Sequence, residues 1–193
     1  MVVFATGNRG KFEQVSLVLA GYGVSLEQKA LRLDEPVDSD LKGIALSKAK
    51  QAFGELRQPV IVEDTGFFLE AYNGFPGTRP KWVFEKLGFE GFLKLLSGKP
   101  KECYFHTVIC FMSGLDSYKF FEGKWSGRIV SKVSNVKAPS LPYSRFFVGE
   151  GEKVPSVEMS PEERSKKSQR GIAAHKLGAW LKEKALHDML DSI

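Results

Sequence analysis

Residues 2–15, Val-Val-Phe-Ala-Thr-Gly-Asn-Arg-Gly-Lys-Phe-Glu-Gln-Val, place an apolar run, a polar turn with two glycines and the start of a helical pattern in sequence. Val2–Ala5 reads as a short buried strand, four apolar residues halted by a turn signal. From Lys11 onward, Phe12, Val15, Val18 and Leu19 fall at helical spacing, and Gly21 and Gly23 end the helix. The turn is not a P-loop. That motif needs a glycine five residues before its second glycine and a hydroxyl after its lysine, and here Ala5 and Phe12 stand there. A strand that turns into a helix still presents backbone N–H groups and the positive end of a helix dipole to an anion. Lys11 adds a point charge, and Thr6 and Asn8 add short polar contacts. On this stretch alone, a plain strand–turn–helix with a solvated lysine is an equal reading.

Working outward, Val24–Leu26 suggests a second short strand, and "LDEPVDSD" (residues 33–40) is a polar loop. Residues 44–53 return to helical spacing, with Ser39 or Asp40 as N-cap. "PVIVEDTG" (residues 59–66) is the clearest strand, and "AYNGFPGTRP" (residues 71–80) is a turn-rich loop. Short helices are expected over Lys81–Leu87 and Gly91–Leu96. Tyr104–Met112 and Tyr118–Phe121 form an expected hairpin, followed by strands at Trp125–Val130 and Phe146–Val148. Ser168–Leu190 is helical, with Ile172, Leu177, Trp180, Leu181 and Leu186 as its apolar side. Helices and strands mixed early, then a run of antiparallel strands, indicate an α/β or α+β fold around a mixed sheet.

Length and composition narrow the class. The 193 residues suffice for one well-cored domain, so a single domain over 1–193 is expected. Net charge is 28 − 23 = +5, which permits an anionic partner without choosing one. Cys103 and Cys110 lack the partners of a zinc site and read as buried reduced thiols. No apolar run approaches about 18 residues and the start lacks a signal-peptide pattern, so a cytoplasmic protein with no membrane partner is expected.

A second cluster carries chemistry. "VEDTG" sets Glu63 and Asp64 at the end of a strand that reads as buried, and successive strand residues face opposite sides, so the two carboxylates do different things. Carboxylates there can hold a hard cation such as Mg²⁺. A turn in which Asp-Thr-Gly caps nearby backbone groups is the plainer alternative.

Together, "FATGNRGK" (4–11), "VEDTGFFLEAYNGFPG" (62–77), Lys81-Trp82, Gly127-Arg128 and "VEM" (157–159) followed by "SQR" (168–170) resemble, in order and spacing, the inosine triphosphate pyrophosphatase family, also called Ham1-like. The resemblance spans Val2 to about Trp180. It implies an elongated mixed sheet with flanking helices, two lobes around a central cleft, and a homodimer. It also implies Mg²⁺-dependent hydrolysis of ITP, dITP or XTP to the monophosphate and pyrophosphate, with Mn²⁺ as a second usable ion. Carried onto matching positions, Thr6, Gly7, Asn8, Arg9, Gly10 and Lys11 cradle the triphosphate. Asp64 ligates the metal beside Glu63 and serves as base for the attacking water, and Thr65 follows at a substrate contact. Lys81 lies near phosphate and Trp82 packs. Tyr143, Ser144, Arg164, Ser168, Gln169 and Arg170 fall on the base side.

Several positions depart from the family pattern. Its glutamate three residues after the first lysine is Gln14, and an acidic position expected at the second helix is Gly43. Its Phe-Gly-Tyr-Asp-Pro loop reads Leu141-Pro142-Tyr143-Ser144-Arg145, its lysine is Arg164 and its histidine is Gln169. Glu13, Asp38 or Asp40 are the acids available as replacements, and Arg145 is a cation where an acid is expected. Two rival readings follow: a nucleotide-binding member with weak or no turnover and an altered base preference, or a basic nucleic-acid binder that keeps only the fold. No motif speaks for nucleic acid.

Overall fold

Four consecutive apolar residues, Val2 to Ala5, make a strand that is buried on both faces and so belongs inside a sheet. The structure, a computed structural model, describes residues 2–36, 39–136 and 142–190. In chain order the main elements are β1 (Val2–Ala5), α1 (Arg9–Ala20), β2 (Leu26–Lys29), α2 (Leu41–Leu56), β3 (Val60–Leu69), β4 (Pro76–Gly77), α3 (Pro80–Leu95), β5 (Glu102–Gly114), β6 (Ser117–Ile129), β7 (Phe147–Gly149), α4 (Pro161–Lys167) and α5 (Gln169–Leu190). The strands form one mixed sheet in the order β2-β1-β3-β5-β6-β7, with β4 added on β3. β1 runs parallel to β2 and β3, and the remaining pairs are antiparallel. The expected α/β class with a mixed sheet and flanking helices is what the chain forms.

Period-two alternation gives each face its own core. Val3, Ala5, Val60, Val62, Val108 and Cys110 pack with Ala45, Ala49 and Ala52 of α2. Phe4, Ile61, Ile109 and Phe111 pack on the other face against Val15 and Leu19 of α1 and Ala173, Ala174 and Leu177 of α5. Further along β3, β5 and β6, Phe67, Phe105 and Trp125 join Val83 and Phe92 of α3 and Tyr143, Phe146 and Phe147 in a third cluster. The polar residues Glu63, Asp64 and Thr65 interrupt β3 between these cores, and all three are buried.

The three strands expected between Tyr104 and Val130 are two. β5 and β6 pair over their whole lengths, 13 residues each, so Tyr118–Phe121 and Trp125–Val130 belong to one strand. The polar Glu122-Gly123-Lys124 breaks the apolar pattern without breaking the strand, because Gly123 is where α5 touches the sheet. A Cβ built on Gly123 would stand 2.0 Å from the carbonyl oxygen of Gln169. The apolar side of α5 begins with the small residues Ala173 and Ala174 and continues through Leu177, Trp180 and Leu181 as expected, while Leu186 is exposed. Gly123→Ala is expected to push the start of α5 off the sheet and destabilise the protein by about 2–3 kcal/mol. Urea denaturation measures this, and an unchanged midpoint would mean the helix is not held there.

Other boundaries moved slightly. β2 lies at Leu26–Lys29 rather than Val24–Leu26, where it pairs with β1 residue for residue. β7 begins at Phe147. The two helices expected near residues 81–96 form one element with a break at Gly88 (φ 59°, ψ −172°), a backbone conformation that suits glycine. Cys103 and Cys110 are both buried and not disulfide-bonded. No helix among the described residues is long and apolar enough to cross a membrane.

Candidate active site

The turn after β1 is fixed by its own side chains. Thr6 Oγ1 accepts from the Asn8 N–H at 3.1 Å, and Asn8 Oδ1 caps α1 by accepting from the Lys11 N–H at 3.0 Å. That cap starts α1 two residues earlier than the apolar spacing suggested, at Arg9. It also aims Lys11 across to the end of β3, where its Nζ lies 2.5 Å from Glu63 Oε2 and 3.3 Å from the Glu63 carbonyl oxygen.

The two carboxylates face opposite sides, as strand geometry requires, and their environments differ. Glu63 is fully buried on the α1/α5 side, held by Lys11 and by Arg170 Nε at 3.2 Å, with Thr65 Oγ1 donating to it and Thr107 completing the set. Burial works to raise this carboxyl, but Arg170 and Lys11 outweigh it and hold it at about 2. Asp64 lies on the α2 side with Lys48 Nζ 3.3 Å from its Oδ1. Burial lifts the Asp64 carboxyl above the ordinary range; Lys11 and Lys48 oppose this, while Glu63 and Glu35 reinforce it. Lys48 also donates to Glu35 Oε1 at 2.8 Å, so two carboxylates share one ammonium.

A wide groove brings much of this together. Thr6, Gly7, Asn8, Lys11, Glu63, Asp64, Thr65 and Lys81 line it, together with Glu35, Lys48, Thr78, Arg79 and Trp82. A smaller adjoining cavity shares Asn8 and Lys11 with it and adds Gly10, Gln14, Phe105, Trp125, Ser144, Ser156, Arg164, Ser168, Gln169 and Arg170. Gln14 joins the two helices that close this cavity. Its Oε1 accepts from Arg170 Nη1 at 2.9 Å, and its Nε2 donates to Ser168 Oγ at 2.6 Å and to the Arg164 carbonyl at 3.4 Å. Ser168, between α4 and α5, caps α5 by accepting from the Gly171 N–H.

Some expected residues go elsewhere. Arg9 is paired with Glu13 on the surface, its side chain 82% exposed, and lines neither cavity. Tyr143 is wholly buried in the third core and donates its hydroxyl to the Pro80 carbonyl at 2.7 Å, so it supports the site from behind. Trp82, expected to pack, is 58% exposed on the groove. Arg145 donates to the Ser134 carbonyl at 2.6 Å and lies 4.8 Å over Phe89, which makes it structural. Gly43 does not line the groove; besides Glu63 and Asp64, the acids that do are Glu35 and Glu85. Of the proposed replacements, Glu13 is spent on Arg9, Asp40 caps α2 through the Gly43 N–H, and Asp38 lies outside the described residues.

With this geometry in view, the relatives can be placed. The profile of the Ham1 family matches residues 2–180. The chain belongs to the Ham1 family. It is 37% identical over 182 residues to the dITP/XTP pyrophosphatase of Methanopyrus kandleri, covering 94% of this chain and 96% of that protein. It is 33% identical over 186 residues to the inosine triphosphate pyrophosphatase of Yarrowia lipolytica, covering 95% of this chain and 97% of that one. Among solved structures, a Ham1 protein from Coxiella burnetii superposes with a TM-score of 0.79 at 21% identity, over 94% of this chain and 98% of that chain. At that identity the superposition speaks for the fold.

Proposed function

We propose that this Ham1-family chain hydrolyses non-standard purine nucleoside triphosphates (ITP, dITP, XTP) to the monophosphate and pyrophosphate. One observation carries the reading: Lys11 and Asp64 open onto one groove whose start is a helix N-terminus, a place suited to an anionic chain of phosphates. The names of the relatives, dITP/XTP pyrophosphatase and inosine triphosphate pyrophosphatase, supply the substrate class. Phosphoryl transfer needs positioning and charge neutralisation more than covalent help, which Lys11, Lys48 and the N–H groups of the turn can provide.

The two carboxylates then divide the work by environment. Glu63, ionised and fully paired, orients Lys11 and Arg170. Asp64, made more basic by burial, is the group placed to accept a proton from an attacking water. A divalent ion fits the donor chemistry: Asp64 and Glu35 offer hard oxygen ligands around the shared Lys48 ammonium. No cluster of three or more His, Cys, Asp or Glu residues forms among the described residues, so substrate phosphates and water complete such a site. When bound, Mg²⁺ supplies charge neutralisation to the phosphates. Glu63 is not a ligand in this reading, since its oxygens are committed to Lys11 and Arg170. A homodimer belongs to the proposal through the family resemblance alone.

Pyrophosphate release from ITP, dITP, XTP, GTP and ATP with Mg²⁺ or Mn²⁺ tests it. Release from ITP, dITP or XTP well above GTP and ATP is expected; binding without release from any of them would overturn the reading.

A further inference from the structure

The smaller cavity has an unusual charge balance. Lys11, Arg164 and Arg170 line it, and of these Lys11 and Arg170 share the single carboxylate Glu63, which leaves a count of three positive charges against one negative, or +2. No Asp or Glu lines the cavity. Arg164 has no carboxylate partner among the described residues, and its Nε is buried without a hydrogen bond. Burial and the nearby Arg170 both push its ionisation down, with no anion to offset them. Beside it, Gln169 is only 6% exposed and its Oε1 is buried without a donor. The cavity is therefore lined by one residue with an unmatched acceptor and by one unmatched cation, beside Phe105 and Trp125, which are cross-strand partners on one face of the sheet. A buried polar group left in that state costs about 1–3 kcal/mol until a ligand satisfies it.

We propose that this cavity takes the dioxopurine ring of a xanthine nucleotide in preference to hypoxanthine or an aminopurine, with Arg164 and Gln169 as the residues that set the preference. This rests on the pyrophosphatase reading above and names the base within it. At neutral pH a xanthine nucleotide carries a negative charge on its ring, spread towards O2, and keeps its N1 proton. The ring anion meets Arg164, and the N1–H supplies the donor that Gln169 Oε1 lacks. Hypoxanthine satisfies Gln169 but brings no charge and nothing at C2. Guanine sets an amino donor at C2 against the N–H donors of Arg164. Adenine has no N1 proton for Gln169 and carries an amino group at C6 as well.

Two measurements decide it. The first compares kcat/KM for XTP and ITP on the wild-type chain, with Mg²⁺ at neutral pH; XTP is expected to be favoured about tenfold or more, the difference a charge-assisted contact makes. The second compares the binding of XMP, IMP and GMP by calorimetry without metal, in the order XMP, IMP, GMP. Arg164→Gln should lower the XTP-to-ITP ratio of kcat/KM by about tenfold. Equal or better use of ITP by the wild type would overturn the inference and leave the pyrophosphatase reading intact. No release from any triphosphate would overturn that reading instead, and the XMP-to-IMP binding ratio would still decide the base. Should Arg164→Gln fail to fold, the wild-type ratios stand as the test.

Discussion

Glu63→Gln is expected to destabilise the protein by about 3–5 kcal/mol, because it leaves two largely buried cations without their counterion. Lys11 and Arg170 both bond to this one side chain, which has no exposure to water. An amide of the same shape keeps the packing, so the loss reads charge and not cavity. The sign of its pH dependence is fixed. A carboxyl held at about 2 in the fold, against 4.5 in the unfolded chain, stabilises the fold above 4.5 and loses that contribution as pH falls towards 2. Wild type and Glu63→Gln should therefore differ most near neutrality and converge in acid. Denaturant midpoints measured down the pH scale check this, and two curves that stay parallel would contradict it.

Asp64→Asn is expected to do the reverse: to lower kcat/KM for the triphosphate by about 10³-fold or more with little change in stability. Asp64 is the carboxyl whose ionisation is disfavoured by burial, so a neutral isostere relieves desolvation, and Lys48 keeps Glu35 as a partner. Rate measurements paired with thermal melts of both variants separate the roles. If Asp64→Asn melted as Glu63→Gln does, or if Glu63→Gln lost rate alone, the assignment of one acid to the fold and one to the chemistry would fail.

The opposition of these two neighbours was legible from the sequence, because alternation along "VIVEDTG" is forced by the strand. So was the turn at Thr6–Lys11, although Asn8 was read there as a polar contact and not as the cap that starts α1 at Arg9. Lys48 was not. It sits mid-helix among Ser47, Ala49 and Lys50, a pattern that a solvated helix face gives equally well, and only the docking of α2 on the Asp64 side of β3 turns it inward. Glu35 was hidden among several acids in a polar loop with no periodicity to select it. Tyr143 and Arg145 were misplaced for a different reason. Their motif was assigned to the base side, whereas local contacts tie Tyr143 to Pro80 and Arg145 to Ser134. Trp82 went the other way: the family resemblance gave it a packing role, whereas the groove runs along it.

Asn8 and Lys11 belong to both cavities, and they are tied to each other by the cap that begins α1. A single short peptide segment thus forms the party wall between the cavity proposed for the ring and the groove proposed for the phosphates. A tenant that sits askew on one side must lean on the other, so poor fit of the heterocycle should be felt as slower bond breaking and not merely as weaker occupancy.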